Sequence, residues 1–171
     1  MAQLTVRDAL PSDHDAIREL TLAVYIGEEL TDGGYAATLG DVEHRAVHTE
    51  LLVADVDGVL VGSVAFARHG SAYAEITRVP DEAAFRMLAV HPQVRGHGAG
   101  RALVLACMDR ARTGGVRRIV ISTETGMRAA QRLYYGLGFR REPERDWSPH
   151  PGIDLLCYVV DLTEPADTPA G

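Results

Sequence analysis

Lysine is absent from this 171-residue chain, and all 17 of its basic side chains are arginine. A nucleoside-triphosphate loop closes on Gly-Lys-Ser/Thr, whose lysine reaches the terminal phosphates, so no such loop can be built here. Cysteine is nearly as scarce. Cys107 and Cys157 are too few and too far apart for a disulfide framework or a metal-ligand spacing, and no metal is expected. No apolar run approaches the roughly 20 residues that a membrane-spanning helix needs, so no membrane partner is expected either. The first residues, Met1 to Asp8, carry acid early and have no apolar stretch, unlike a secretory leader. A reduced, cytoplasmic setting is the expectation these scarcities share.

What is present is a globular composition, 46% hydrophobic and 24% charged, in a chain of the right length for one domain with its own core. That domain is expected over residues 1–162, followed by a frayed tail at 163–171 rich in Pro, Ala and acid. Charge is unevenly spread. Residues 1–82 hold 5 arginines against 15 acids, a balance of −10, while residues 86–141 hold 11 arginines against Asp109 and Glu124, a balance of +9. Residues 142–171 hold Arg145 against 7 acids, a balance of −6. A basic middle between acidic flanks suits a compact anion better than a polyanion, which the flanks would repel. With no aromatic stacking platform or recognition-helix signature, no nucleic-acid partner is expected.

Periodicity and turn residues give an element order. Leu4 to Arg7 reads as a first strand. A helix then opens at Pro11 with Ser12 as N-cap and Asp15 at the capping-box position, burying Ile17, Leu20, Val24 and Tyr25. The stretch from Ile26 to Gly40 is broken by glycines and should hold a short helix, with another from Leu39 to His48. Leu51–Asp55 and Val59–Ala67 flank Asp57-Gly58, a strong hairpin signal. His69 to Asp81 is irregular. Strand Phe85–Val90, helix Arg101–Met108 stopped by Gly114-Gly115, strand Arg118–Ser122, helix Met127–Leu137 and strand Ile153–Val160 come next, with another strand opening at Phe139. Asp146 to Gly152 reads as a rigid loop. The order predicts an α/β fold on a mixed sheet, without repeats or a second domain.

Between the strand ending at Val90 and the helix opening near Ala99 lies Gln93-Val94-Arg95-Gly96-His97-Gly98-Ala99-Gly100. Glycines let an anion approach backbone N–H groups closely, and the helix N-terminus adds positive partial charge at the same spot. Arg95 and Arg101 border the turn and can add charge-assisted contacts. A dinucleotide fingerprint would need a third glycine at position 101, which is Arg.

The loop Gln93-Val94-Arg95-Gly96-His97-Gly98, its lead-in strand Met87 to Pro92, and the downstream run Ala130-Gln131-Arg132-Leu133-Tyr134-Tyr135-Gly136-Leu137-Gly138-Phe139 together resemble the GNAT superfamily of acyl-CoA-dependent N-acetyltransferases. The resemblance follows element order over about residues 3–161, with the motifs in 87–139. It implies a single domain with a central mixed, mostly antiparallel sheet of about six to seven strands flanked by about four helices. It implies acetyl-CoA as cosubstrate, its pyrophosphate on the N–H groups of Arg95, Gly96, His97, Gly98, Ala99 and Gly100, beside Arg101. It places the pantetheine arm along Leu88, Ala89 and Val90, near Met127 and Tyr134. The Leu88 N–H would steady the oxyanion formed when a neutral amine attacks the thioester.

Tyr134 stands where the family usually keeps its general acid, while Tyr135 would point elsewhere. The family's usual base position is Ala84 here, so Glu82, two residues back on the same side of an extended strand, is the expected substitute, with His91 and Glu124 as fallbacks. Met127 replaces an asparagine that often contacts the cofactor. The departures at Ala84 and Met127 also fit a non-catalytic acyl-CoA-binding module, against which Tyr134 argues. Partners implied are a small-molecule or peptide amine and, as in many members, a second copy of the chain. The acidic first 82 residues suggest a cationic acceptor met by Glu28, Glu29 and Asp32, with Trp147 on the opposite wall.

Overall fold

The computed structural model describes residues 2–26 and 35–162. Among them the chain builds an eight-stranded sheet in the order β1-β2-β3-β4-β5-β8-β6, with β7 paired to β8. The strands are β1 (Leu4–Asp8), β2 (Glu50–Val56), β3 (Val59–Arg68), β4 (Glu82–Val90), β5 (Arg118–Glu124), β6 (Arg140–Arg141), β7 (Trp147–His150) and β8 (Ile153–Asp161). Helices α1 (His14–Tyr25), α2 (Ala36–Gly40) and α3 (Val42–His48) pack on one face, and α4 (Ala99–Thr113) and α5 (Arg128–Gly136) on the other. All pairings are antiparallel except that of β4 with β5. The α/β class and the mixed, mostly antiparallel sheet are as expected, with one strand more and one helix more than anticipated.

Local chemistry accounts for most boundaries and for the misses. Asp57 (φ 49°) and Gly58 (φ 82°) form the tight β2–β3 turn that Asp-Gly announced. The first helix begins later than expected, after a 3-10 turn at Pro11–Asp13, and Ser12 is not its cap. Asp13 precedes the helix, and its carboxylate is turned backwards onto the Leu10 N–H at 2.7 Å and the Arg7 guanidinium. Asp41 separates α2 from α3 and caps the latter by accepting from the His44 N–H at 3.1 Å. The stretch read as a rigid loop contains β7, a short strand on the outer side of β8 that tolerates Pro149 because of its edge position. Residues 27–34, with Glu28, Glu29 and Asp32, and the tail 163–171 lie outside the described residues.

Strand β4 departs from a regular ladder on both of its sides. It pairs with β5 only at Glu82↔Arg118 and Ala83↔Ile119, after which the strands part. It is also bulged against β3, where Ala65 pairs with Arg86 but Ser63 pairs with Ala89. Met87 sits in the bulge at φ 56°, a backbone conformation few side-chain-bearing residues adopt. The bulge shifts the inward–outward alternation. Ala83, Phe85, Leu88 and Val90 face the α4–α5 core, whereas Ala84 and Met87 face the α1–α2 side.

Candidate functional site

The parting of β4 and β5 opens a cavity of about 630 Å³ through the middle of the sheet. Its walls are the separated stretches Ala84–Leu88 and Ile121–Glu124, with Tyr134 from α5 and the β7–β8 hairpin closing other sides. Strands that diverge leave backbone donors and acceptors without a sheet neighbour, a natural template for a ligand that carries amides of its own.

At one end of the fork lies the glycine turn. Gly96 (φ 85°) and Gly98 (φ 89°) adopt left-handed conformations, and nothing stands within 4 Å of where a Cβ would project at either. Gly98 is the N-cap of the 15-residue α4. His97 and Arg101 are exposed beside it. The turn is therefore open above its backbone and backed by a helix N-terminus, which fits a diphosphate. Gly100 serves packing instead, since a Cβ there would meet Leu133 at 3.4 Å and Val90 at 3.5 Å. Arg95 folds back to donate from Nε to the Val90 carbonyl at 3.3 Å.

Tyr134 is the buried residue of α5 and lines the cavity. Its ring packs against Phe85 and Phe139 at 5.6 Å and Tyr158 at 6.3 Å, so its position is set by an aromatic cluster. Burial raises its phenol well above the usual tyrosine range and keeps it a proton donor at neutral pH. Tyr135 points to solvent, 73% exposed. Met127 lines the cavity at the start of α5, and Leu88 and Ala89 lie just past the bulge.

Glu82 does not do what its spacing suggested. It sits at the closed end of the fork, outside the cavity lining, 4% exposed. Its Oε2 accepts from Arg145 Nη1 at 2.7 Å, and its Oε1 accepts from Nη2 at 3.2 Å and from the Arg78 N–H at 3.0 Å. Burial pushes the carboxyl up, but the Arg145 fork and the Arg78 N–H outweigh it and hold the group below the usual range. A carboxylate with both oxygens engaged and a depressed pKa is a poor base. Glu82 ties the start of β4 to the 143–145 turn through Arg145 and to the preceding connection through the Arg78 N–H. Arg145 is 63 residues away in sequence, so no local pattern announced the clamp.

Of the two fallbacks, His91 is exposed, with Nδ1 accepting the Gln93 N–H, and lies off the cavity. Glu124 lines the cavity from β5, and Ala84 leaves the usual base position without a carboxylate. Continuing the register from Glu82↔Arg118 up both arms of the fork brings Glu124 roughly level with Leu88.

Four polar residues of the site carried no sequence signal. Tyr25 ends α1 and donates its hydroxyl to the Leu88 carbonyl at 3.0 Å, bracing the strand beside the bulge. Tyr35, Tyr73 and Arg86 line the α1–α2 side of the cavity. All four belong to segments that read as core or irregular connection, and only tertiary packing gathers them. Among the described residues there is no cluster of three His, Cys, Asp or Glu side chains able to hold a metal, and no helix is long and apolar enough to cross a membrane.

Residues 14–139 match the acetyltransferase (GNAT) family. A mycothiol acetyltransferase of Nocardiopsis dassonvillei is 29% identical over 154 residues, covering 83% of this chain and 42% of that protein. The chain thus spans less than half the length of that relative. The Salmonella typhimurium protein yncA, solved with its cofactor acetyl-CoA, superposes with a TM-score of 0.65 at 26% identity, covering 99% of each chain. A GNAT-family acetyltransferase of Staphylococcus aureus Mu50 superposes with a TM-score of 0.75 at 18% identity, over 94% of this chain and 100% of that one. With a forked β4–β5 pair, a bulge at the fork and an open glycine turn beneath a helix N-terminus, the chain belongs to the GNAT family of acetyltransferases.

Proposed function

We propose that this protein transfers the acetyl group of acetyl-CoA to a primary amine by direct attack within a ternary complex. The observation that carries the reading is the fork itself: a bulged strand parts from its neighbour directly above a glycine turn built for a diphosphate. Acetyl-CoA lies with its pyrophosphate on the N–H groups of residues 95–100 and its pantetheine arm along Leu88 to Val90. The name of the Nocardiopsis relative and the acetyl-CoA in the Salmonella structure support acetyl as the group transferred.

The amine nitrogen attacks the thioester carbon, and the Leu88 N–H receives the developing oxyanion. As the C–S bond breaks, Tyr134 gives its proton to the leaving sulfur, a role that its place in the cavity lining and its ring, fixed by Phe85 and Phe139, suit. Glu124, across the fork from Leu88, takes the proton the amine sheds, directly or through water.

Free-thiol release from acetyl-CoA over a mixed amine panel tests this. Tyr134→Phe keeps the aromatic packing and removes only the hydroxyl, so kcat should fall about 10²–10⁴-fold, the usual worth of a general acid, with CoA affinity unchanged. Tight CoA binding without turnover on any amine would instead identify a non-catalytic CoA-binding module.

A further inference from the structure

The α1–α2 side of the cavity carries a cation that the acidic N-terminal half gave no reason to expect. Strand alternation from Ala84 places Arg86 on that wall just before the bulge, two residues ahead of Leu88. Its guanidinium is already fixed: Nη2 donates to the Tyr35 hydroxyl at 2.6 Å, and Cζ lies 5.8 Å from the centre of the Tyr73 ring. Nη1 donates to Glu75 Oε1 at 2.8 Å, and Glu75 stands on the irregular connection before β4 with its side chain 53% exposed. An ion pair that exposed is held weakly and exchanges readily.

A second guanidinium lies behind this wall. Arg45 of α3 is 1% exposed and donates from Nη1 to the Leu39 and Thr38 carbonyls at 3.0 and 3.4 Å. Among the described residues its Nε and Nη2 have no hydrogen-bond partner and no carboxylate forms an ion pair with it. Its helix packs beside this wall, where His44 Nδ1 of α3 and the hydroxyl of Tyr73, a lining residue, share a hydrogen bond at 2.8 Å. Among the described residues the wall itself carries Arg86 with its partner Glu75, and Arg45 is buried behind it on the helix that Asp41 caps. Glu124, the other acid of the lining among the described residues, belongs to the opposite strand.

We infer that the acceptor is an amine that also bears a carboxylate, that Arg86 grips this carboxylate, and that Glu75 occupies its place until the acceptor enters. Arg86 and Glu124 stand on opposite arms of the fork, so one molecule can set its carboxylate on the first and its amine toward the second. A polycationic acceptor would have to lie against Arg86 with a buried like charge behind it. The apolar side chains of Met127, Trp147, Ile153 and Leu155 complete the cavity and favour an apolar body between the two polar ends. This assignment rests on the proposed transferase activity for its kinetic consequences and is independent of it for binding.

The experiment compares a panel of α-amino acids with their carboxamides, which keep the amine and lose the carboxylate, using thiol release from acetyl-CoA. The carboxylate form should exceed its carboxamide at least tenfold in kcat/KM. Arg86→Gln should erase that difference chiefly by raising KM, and Arg86→Lys should restore part of it. Glu75→Ala is the sharper variant: removing the competing carboxylate should lower KM for the carboxylate acceptors threefold or more. Diamines or carboxamides outpacing the amino acids, or a higher KM for every amine on Glu75→Ala, would overturn the assignment and make Glu75 a ligand for the ammonium. If no amine is turned over, the fluorescence of Trp147, the one tryptophan of the chain, still reports binding. A quench by N-acetyl amino acids but not their carboxamides, lost in Arg86→Gln, supports the carboxylate site while the transferase reading fails. No carboxylate-dependent quench overturns it.

Discussion

The Glu82–Arg145 pair offers the cleanest separation of structure from catalysis. Glu82→Gln keeps the shape of the side chain, and its oxygen can still accept from the Arg78 N–H. Its new amide, however, faces Arg145 Nη1, donor against donor, where Oε2 had accepted at 2.7 Å. The two side chains are 5% and 6% exposed, so water cannot replace the partner lost at Nη1, and Arg145 keeps only its Nη2 bonds, to the Ile76 carbonyl at 2.8 Å and to the remaining oxygen of residue 82, where Oε1 had accepted at 3.2 Å. Breaking one side of such a buried pair costs about 3–5 kcal/mol. For a domain of this size that is a drop in Tm of about 6–20 °C, followed by circular dichroism at pH 7. The native carboxyl pKa is depressed, so the pair's contribution is fully present above the unfolded value near 4.5 and lost as pH falls through the native one. The Tm gap between native and variant should therefore close in acid. Assayed below both transitions, the variant should keep kcat within a few-fold, because the clamp lies outside the cavity. A Tm unchanged at pH 7 together with a kcat lowered 10²-fold or more would refute the reasoning and return Glu82 to the role of base.

Other perturbations reach the remaining parts of the site. Gly98→Ala sets a methyl on the open face of the cradle at φ 89°, and should raise KM for acetyl-CoA at least tenfold, at a strain of about 1–2 kcal/mol visible in a urea melt. An unchanged KM would move the diphosphate elsewhere. Tyr25→Phe frees the Leu88 carbonyl and should cost about 1–3 kcal/mol, with kcat falling more than KM because the bulge loses its brace. Both cysteines are buried, with burial pushing the Cys157 thiol up to about 11 and the Cys107 thiol higher still. Thiolate being the reactive form, neither should react with a disulfide reagent at pH 8 in the native protein, and both should react in guanidinium. The thiol-release assay would then report coenzyme A alone.

What the sequence by itself determined is the part of the protein encoded by neighbours along the chain. Asp57-Gly58 makes its turn because those two residues accept positive φ. Gly96 and Gly98, followed at once by a helix, make an open turn at a helix N-terminus because backbone conformation and helix initiation are local properties. Tyr134 was legible because it sits in a contiguous run ending at Gly138-Phe139 whose helix ending is again local. Tertiary structure decided everything that depends on partners distant in sequence. Alternation placed Glu82 on the correct side of β4 but could not show that Arg145 would engage both its oxygens. The same alternation fails at Met87, where one inserted residue changes which side chains face each side of the sheet. The acidic excess of the first 82 residues is legible in the sequence, whereas the gathering of Arg86 into the cavity wall with Arg45 behind it is not. Net charge is a sum over a whole segment, whereas a ligand responds to the few groups that the fold brings within hydrogen-bonding reach.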